Sequence, residues 1–206
     1  MTRLILASTS PRRAELLRQI GVAFEQRGID VDETPRQGEV AAETALRLAN
    51  AKARAGLAIP LPASPARGGG ERGDVAILAA DTLVSIGGEA LGKPRDREDG
   101  LAMLRRLSGR RHEVYTAVAM AWDGEIKAFL SVSHVDFRPL ADDEMLAYWQ
   151  TGEPADKAGG YAIQGHAAAF ITRLEGSFSG VMGLPLFETA ELLRQAGLSI
   201  WSPCPR

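Results

Sequence analysis

Apolar residues occur in short runs typical of strands and in wider spacings typical of helices. Residues 4–7 form the first run and predict a short buried strand. Ser10 and Pro11 suit the cap and the first turn of a helix, since an N-cap serine can accept a hydrogen bond and proline needs no donor there. Gly21 ends that helical pattern. The chain therefore begins with a strand that leads directly into a helix.

Further runs typical of strands and spacings typical of helices follow along the chain. Asp123-Gly124 lies between two long extended runs, residues 114–120 and 126–137, which predicts a β-hairpin. Further helices are predicted at residues 39–57, 96–107, 142–152 and 186–196, and further strands at residues 75–80, 83–86, 161–163 and 169–171. Strands and helices follow one another in no regular order. This predicts an α/β fold with a mixed, twisted sheet.

Length and composition are those of a globular protein. The chain has 206 residues, of which 45% are hydrophobic and 24% are charged, enough for one sizeable core. We expect a single domain over residues 1–206. Residues 60–74 differ, because they hold three Pro and four Gly and little that could enter a core. We expect them to form a flexible surface insertion within that domain.

Charge and cysteine content exclude several classes of protein. The net charge of −2 gives no basic field for nucleic acid, so no nucleic-acid partner is expected. The lone Cys204 excludes a disulfide framework, and no apolar run is long enough to span a membrane. The opening residues do not form a signal peptide, so we expect a cytoplasmic protein. The sequence leaves the oligomeric state open, a homodimer included.

One motif is rejected on chemical grounds. Residues 87–93 read Gly-x-x-x-x-Gly-Lys, the start of a phosphate-binding P-loop. The next position should be Ser or Thr, whose hydroxyl binds Mg²⁺, but it is Pro94. Proline has neither a hydroxyl nor an N–H, and it disfavours helical geometry at Lys93. Lys93 nevertheless stays of interest as a cation that follows an extended segment.

Several separate segments carry side chains suited to a polyphosphate. Ser8, Arg12 and Arg13 lie at the first strand-to-helix junction, where a helix N-terminus and guanidinium groups attract phosphate. Five cations are available in all: Arg12, Arg13, Lys52, Lys93 and Lys157. Glu33 and Asp81 supply carboxylates for a divalent ion, and the set matches a triphosphate plus metal.

These segments together resemble the Maf-like nucleoside triphosphate pyrophosphatases. The motifs that carry the resemblance are residues 8–17, 80–82, 91–94, 107–109, 152–154, 156–159, 163–165 and 183–186. The resemblance implies two lobes around a central cleft, as in the inosine triphosphatase architecture. It also implies hydrolysis of a nucleoside triphosphate to the monophosphate and pyrophosphate with Mg²⁺ or Mn²⁺.

The resemblance assigns roles to individual residues. Asp81 falls on the family's catalytic carboxylate, a proton acceptor, and Glu33 and Asp81 would hold the metal. The expected substrate-binding residues are Ser8, Arg12, Arg13, Lys52, Thr82, Lys93, Lys157 and Gln164. Residues 156–165 look like the branch of the family that acts on dTTP and UTP, with modified pyrimidine nucleotides as further candidates. Arg12, Thr82 and Gln164 fall on the positions expected to track the choice of base.

One other function stays open at this point. The family has been linked to septum formation, so a nucleotide-binding regulator of cell division without turnover is an alternative to a house-cleaning enzyme. Retention of Asp81 and Lys93 favours the enzyme. His166 also departs from the pattern, because a small or apolar residue is more usual after Gln164-Gly165. This departure bears on the shape of the base pocket.

Overall fold

A computed structural model describes residues 2–34, 36–58 and 75–201 of the chain. Its strands are β1 (Arg3–Ala7), β2 (Glu25–Arg27), β3 (Val75–Ile86), β4 (Glu89–Leu91), β5 (Arg111–Trp122), β6 (Glu125–Phe137) and β7 (Ile171–Glu175). Its α-helices are α1 (Pro11–Gln19), α2 (Ala41–Leu57), α3 (Arg97–Leu107), α4 (Asp142–Gln150), α5 (Phe178–Met182) and α6 (Leu186–Gln195). Three 3₁₀ segments span Glu153–Asp156, Ala158–Gly160 and His166–Phe170.

All seven described strands form one mixed sheet, in the order β2-β1-β3-β5-β6-β7, with β4 also pairing with β3. Strands β2, β1 and β3 are parallel, whereas β5, β6, β7 and β4 each run antiparallel to the strand they join. The predicted hairpin is confirmed, since β5 and β6 pair from Arg111↔Asp136 to Trp122↔Glu125. The predicted mixed α/β sheet is therefore confirmed as well.

Two hydrophobic clusters cover one face of the sheet, side by side. Helices α1 and α6 pack over β1 and the first half of β3, through residues such as Leu17 and Leu192. Helices α3 and α4 pack over the second half of β3, through residues such as Leu104 and Met145. These clusters are the cores of two lobes. Thr82 lies on β3 between them, where neither cluster covers the strand.

Helix α2 covers the opposite face at close range. Its Ala45, Ala49 and Ala53 pack against alanines of β3 and β5. A side chain at Gly56 would place its Cβ 2.4 Å from Ile77 Cγ2. Small residues thus let the helix approach the sheet closely, which explains why the alanine-rich pattern of residues 39–57 is helical and buried.

A gap in the edge of the sheet positions the candidate site. Strand β1 pairs with residues 75–78 of β3, and β4 pairs with residues 84–86 on the same edge. Among the described strands, residues 79–83 of β3 therefore have a neighbour, β5, on one side only. Asp81 and Thr82 lie in this gap, at the carboxyl end of β1.

Some predictions need correction. Strand β3 does not end at Asp81: it is one strand of 12 residues, so Asp81 lies inside it. Residues 161–163 form no strand, because the N–H of Ala162 bonds to the hydroxyl of Tyr148 instead of to a strand. Residues 169–171 mostly complete a 3₁₀ segment, and only Ile171 begins β7.

Short elements were not predicted at all. Strands β2 and β4 have three residues each and α5 has five, too few for a periodic pattern to appear. The expected insertion at residues 60–74 and the lone Cys204 lie outside the described residues. Among the helices of the described ranges, none is both long and apolar enough to cross a bilayer.

Candidate active site

A cleft of about 300 Å³ opens at the gap in the sheet edge, between the two lobes. Its wall includes all of the predicted substrate-binding residues and one predicted metal ligand: Ser8, Arg12, Arg13, Glu33, Lys52, Thr82, Lys93, Lys157 and Gln164. Asp81 does not form part of this wall and lies directly behind Lys52. The structure thus brings residues from distant parts of the chain to one place, while their roles stay predictions.

The turn after β1 presents backbone N–H groups to the cleft. Ser10 occupies the N-cap position of α1, but its side chain makes no capping hydrogen bond, which leaves the first turn open to a ligand. Ser8 Oγ accepts a hydrogen bond of 3.1 Å from the N–H of Ser10. On the other side of the turn, Gln26 Nε2 donates to the carbonyl oxygens of Ser8 and Ser10, at 3.0 and 3.3 Å. The turn is therefore fixed by side chains on both sides.

Arg13 is held by three different groups. Its Nε donates to the carbonyl of Gly183 at 2.8 Å, Nη1 donates to Ser8 Oγ at 3.3 Å, and Nη2 donates to Thr82 Oγ1 at 3.4 Å. Burial lowers the pKa of Arg13 from its usual value, although the nearby Asp81 carboxylate opposes this. A guanidinium has five N–H donors, so Arg13 retains two for a ligand.

Two threonines lie behind Arg13. Thr82 Oγ1 and Thr116 Oγ1 are 3.1 Å apart, and Thr116 Oγ1 donates to the carbonyl of Gly180 at 2.8 Å. A hydroxyl has one proton, and a carbonyl only accepts, so the proton of Thr116 is committed to Gly180. Thr82 therefore donates to Thr116 and accepts from Arg13. This chain of hydrogen bonds fixes the direction of the Thr82 hydroxyl at the cleft.

Lys52 joins the two predicted metal-binding carboxylates. Its ammonium lies 2.7 Å from Asp81 Oδ1 and 2.6 Å from Glu33 Oε1. Lys52 and Asp81 are each only 8% exposed, whereas the side chain of Glu33 is 59% exposed. Asp81 Oδ2 has no protein hydrogen-bond partner within the described residues. One oxygen of Asp81 is thus committed to Lys52, and the other is available to a ligand or a water molecule.

The two carboxyl groups respond differently to this arrangement. Burial raises the pKa of Asp81, while the positive charge of Lys52 and its hydrogen bond partly oppose the rise. The hydrogen bond from Lys52 lowers the pKa of Glu33, with burial acting against it. Asp81 is therefore the better proton acceptor of the two, because its conjugate acid is the weaker acid.

The residues present fit a divalent cation shared with substrate. The described residues hold no cluster of three or more His, Cys, Asp or Glu side chains that could enclose a metal. Mg²⁺, however, usually binds one or two carboxylates and takes its other ligands from phosphates and water. Glu33 and Asp81 supply such a pair. We conclude that their chemistry suits a metal that binds together with a polyphosphate.

The second lobe supplies the opposite wall. Lys93 follows β4 and is exposed to the cleft. Lys157 Nζ donates to the carbonyl of Glu153 at 2.9 Å, and Arg12 Nη1 lies 3.6 Å from Asp156 Oδ2. Gln164 is exposed, sits in a turn, and has no hydrogen-bond partner among the described residues. Its amide is free to bind a ligand.

Sequence reasoning missed three residues that support this site. Gln26 and Thr116 have no role in any motif, because single neutral residues on strands carry no pattern that marks them. Glu153 belongs to the Gly-Glu-Pro tripeptide at residues 152–154 but had no role assigned. In the structure, Glu153 accepts hydrogen bonds from Tyr148 and from the backbone beside Gln164. Only the fold reveals these contacts.

Comparison with known proteins agrees with the resemblance. The sequence model of the family described as "Maf-like protein" matches residues 3–196. A protein of Hahella chejuensis named dTTP/UTP pyrophosphatase is 48% identical over 200 residues, covering 97% of this chain and 95% of that protein. A protein of the same name from Alkalilimnicola ehrlichii is 54% identical over 188 residues, covering 91% and 90%.

A third relative with that name, from Methylococcus capsulatus, is 51% identical over 196 residues, covering 95% of this chain and 92% of the relative. Among solved structures, the Ham1 protein of Staphylococcus aureus matches with a TM-score of 0.42 and 18% identity, covering 68% of this chain and 72% of that one.

Proposed function

This chain belongs to the family of Maf-like proteins, and from that premise we propose that it hydrolyses dTTP and UTP to the monophosphate and pyrophosphate. Relatives named dTTP/UTP pyrophosphatase share about half of its residues over nearly the whole chain. One structural observation supports the proposal most directly. Five cations from separate parts of the chain lie around one cleft, beside a buried Asp81.

The charge of the cleft suits a triphosphate. The five cations are Arg12, Arg13, Lys52, Lys93 and Lys157. A nucleoside triphosphate carries about four negative charges near neutral pH, and the transition state spreads charge over the non-bridging oxygens. Fixed cations in a partly buried cleft stabilise that charge without having to reorganise. The N–H groups at the start of α1 add partial positive charge at the same place.

In the proposed reaction, the oxygen of a water molecule attacks the α-phosphorus. The bond between that phosphorus and the bridging oxygen breaks, and pyrophosphate leaves with the bridging oxygen. Asp81 accepts the proton of the attacking water through the oxygen that Lys52 does not occupy. Arg13 and Lys52 would face the phosphates. The charge of Lys52 also favours the ionised form of Asp81.

Mg²⁺ or Mn²⁺ would be held by Glu33 and Asp81. When bound, such an ion supplies Lewis-acid stabilisation of phosphate charge. The chain's own contribution is to fix the two carboxylates, which Lys52 does by bonding to both. We expect the divalent ion to be required for turnover.

The base would be read at the second lobe. The free amide of Gln164 can donate and accept at once, which matches the C4 carbonyl and the N3–H of thymine or uracil. Arg12 and Thr82 lie in the same cleft and complete the set predicted to follow the choice of base. A cytosine presents an amino group and an unprotonated N3 instead. The Gln164 amide would have to rotate so that its oxygen and its NH₂ group exchange places before it could pair with cytosine.

The test is a hydrolysis panel. Purified full-length chain is incubated with Mg²⁺ and each common nucleoside triphosphate, and pyrophosphate and monophosphate are both measured. The proposal expects pyrophosphate release with dTTP and UTP turned over fastest, and loss of release in EDTA. Release of inorganic phosphate with a diphosphate product would contradict it. Tight binding of dTTP without turnover would favour the regulator of cell division.

Two further parts of the proposal concern assembly and location. A homodimer is proposed as an assembly compatible with this site, whose predicted residues can be brought together within one chain. A cytoplasmic location is proposed because nucleoside triphosphates are available there.

A further inference from the structure

The segment that carries Gln164 pairs with none of the described strands, yet it is anchored at several points. We call residues 161–167 the Gln164 turn. At its start, Tyr161 OH is 2.8 Å from Nε2 of the buried His112. The N–H of Ala162 then donates to Tyr148 OH at 3.2 Å. Gln164 lies between these contacts and a second set at residues 166 and 167. Its side-chain amide has no hydrogen-bond partner among the described residues.

Glu153 anchors the end of the turn. Its Oε2 accepts from the N–H of His166 at 3.0 Å, and its Oε1 accepts from Tyr148 OH at 2.8 Å and from the N–H of Ala167 at 3.4 Å. Burial favours a higher pKa of Glu153, but these hydrogen bonds outweigh it and the pKa is lowered. The group is thus a fixed, ionised acceptor, and its hydrogen bonds are charge-assisted.

The fit around Glu153 leaves no space to spare. A side chain at Gly165 would place its Cβ 2.0 Å from Glu153 Oε2, so only glycine allows this approach. Tyr148 serves both ends of the turn, since its hydroxyl donates to Glu153 and accepts from Ala162. Its ring packs edge-on against Phe170, with ring centroids 5.2 Å apart. One carboxylate and one phenol therefore fix the backbone on both sides of Gln164.

We propose that Glu153 and Tyr148 are positioning residues that set the choice of base, by holding the Gln164 turn in the geometry that reads a pyrimidine. This inference deepens the proposed function and rests on it. Neither side chain lines the cleft, so both act through the turn. Their effect should fall on base discrimination, because the turn after β1, with Ser8 and Arg13, has no contact with Glu153 or Tyr148 among the hydrogen bonds described.

Two variants test the proposal. Glu153→Gln replaces one accepting oxygen by an NH₂ group, which faces the N–H donors of the turn and cannot accept from them. Tyr148→Phe keeps the ring against Phe170 and removes only the hydroxyl. For each variant, kcat/KM is measured for dTTP and for dCTP, together with inhibition by inorganic pyrophosphate. Glu191→Gln is the matched control, since Glu191 is ion-paired to Arg194 on the outside of α6.

We expect the dTTP to dCTP ratio of kcat/KM to fall about tenfold in both variants, with pyrophosphate inhibition changed less than twofold. Gln164→Ala, which removes the reading amide itself, should show the same fall. Glu191→Gln should keep the wild-type ratio. An unchanged ratio in Tyr148→Phe, or an equal loss for both nucleotides together with weaker pyrophosphate inhibition, would overturn the proposal. If Glu153→Gln does not fold, Tyr148→Phe decides alone.

Failure of the proposed function would give a different result. In that case the wild-type chain releases no pyrophosphate from dTTP. The inference can then be tested by calorimetric titration with dTMP and dCMP, which report on the base without any turnover. It is overturned there if Tyr148→Phe binds the two monophosphates with the wild-type preference.

Discussion

The ammonium of Lys52 lies 2.7 Å from Oδ1 of Asp81, and both residues are only 8% exposed. A buried carboxylate without a partner would be expensive, since burial disfavours the charged form. The same ammonium also contacts Glu33, whose side chain reaches solvent. Lys52 therefore links the buried carboxylate to the open cleft. It opposes the rise that burial causes in the pKa of Asp81, and it leaves the second oxygen of Asp81 free.

Asp81→Asn tests the predicted proton acceptor. The amide has nearly the same shape and keeps an oxygen for Lys52, but it cannot accept a proton from water. We expect kcat for dTTP to fall by about 10²-fold or more, with the fold kept and the affinity for nucleotide little changed, since Lys52 retains its ion pair with Glu33. Asp123→Asn is the matched control. Asp123 lies in the β5–β6 turn with φ of 49°, a conformation that asparagine adopts readily, so its kcat should not change.

Lys52→Met tests the effect of the ammonium on Asp81. Asp81 must be deprotonated to act, so the rate falls as the pH drops through its pKa. Burial already raises that pKa, and Lys52 opposes the rise. Without Lys52, the pKa of Asp81 rises further. We expect the acid limb of the profile of kcat against pH to move to higher pH, and a limb that moved to lower pH would contradict this.

The same variant should lose stability in a pH-dependent way. Removing one partner of a buried ion pair costs about 3–5 kcal/mol, and less where water reaches the group. A carboxyl whose pKa is raised by folding favours the folded state while it is protonated, and that contribution is lost as the pH rises through the raised pKa. The loss caused by Lys52→Met should therefore be larger at pH 8 than at pH 5 in urea unfolding. Adding Asp81→Asn should recover most of it.

Long helices and strands could be predicted from the sequence because their hydrophobic spacing repeats over many residues. The β5–β6 hairpin follows from an Asp-Gly between two extended runs, and α2 from apolar spacing over 17 residues. Residues 161–163 were misread because apolar composition alone does not show where the backbone hydrogen bonds go. There the partner is a side chain, Tyr148, which lies in another element.

In the candidate site, too, some residues could be predicted from the sequence and others could not. Charged residues at the ends of strands and helices could be chosen by their chemistry, and the structure places them around one cleft. Supporting residues could not be chosen this way. Gln26 bonds to backbone carbonyls, and Thr116 contacts the site through Thr82. Such contacts depend on which elements the fold brings together, which no spacing along the chain records.

Thr116→Val tests the hydrogen bonds behind Arg13. Valine has nearly the same shape, but it leaves the carbonyl of Gly180 without its side-chain donor and Thr82 without an acceptor. Thr116 is 1% exposed, so we expect a loss of about 1–3 kcal/mol in the free energy of unfolding. KM for dTTP should rise several-fold, because Thr82 helps to hold Arg13. Thr116→Ser keeps the hydroxyl and should restore KM, and equal KM values in the two variants would contradict the role.

His112 predicts a pH dependence of stability that does not involve the phosphate site. The residue is 0% exposed, and burial lowers its pKa to about 4. In the unfolded chain the pKa is about 6.5, so folding favours the neutral ring. Its contribution to stability is fully present above pH 6.5 and is lost as the pH falls towards 4. The difference between the folded and unfolded pKa values of His112 corresponds to a total loss of about 3 kcal/mol in the free energy of unfolding.

His112→Gln separates this titration from all others. The glutamine amide can still bond to Tyr161 OH, which lies 2.8 Å from the ring, but it takes up no proton in this range. Wild type should lose more stability than the variant between pH 7 and pH 4 in urea unfolding, because the variant lacks the imidazole that takes up a proton on unfolding. His134→Gln, at a half-exposed position on β6, is the matched control for replacing a histidine by glutamine. Parallel curves for wild type and His112→Gln would mean that folding does not lower the pKa of His112. Since Tyr161 lines the cleft and accepts or donates to this ring, such a result would also require a different account of how that wall is held.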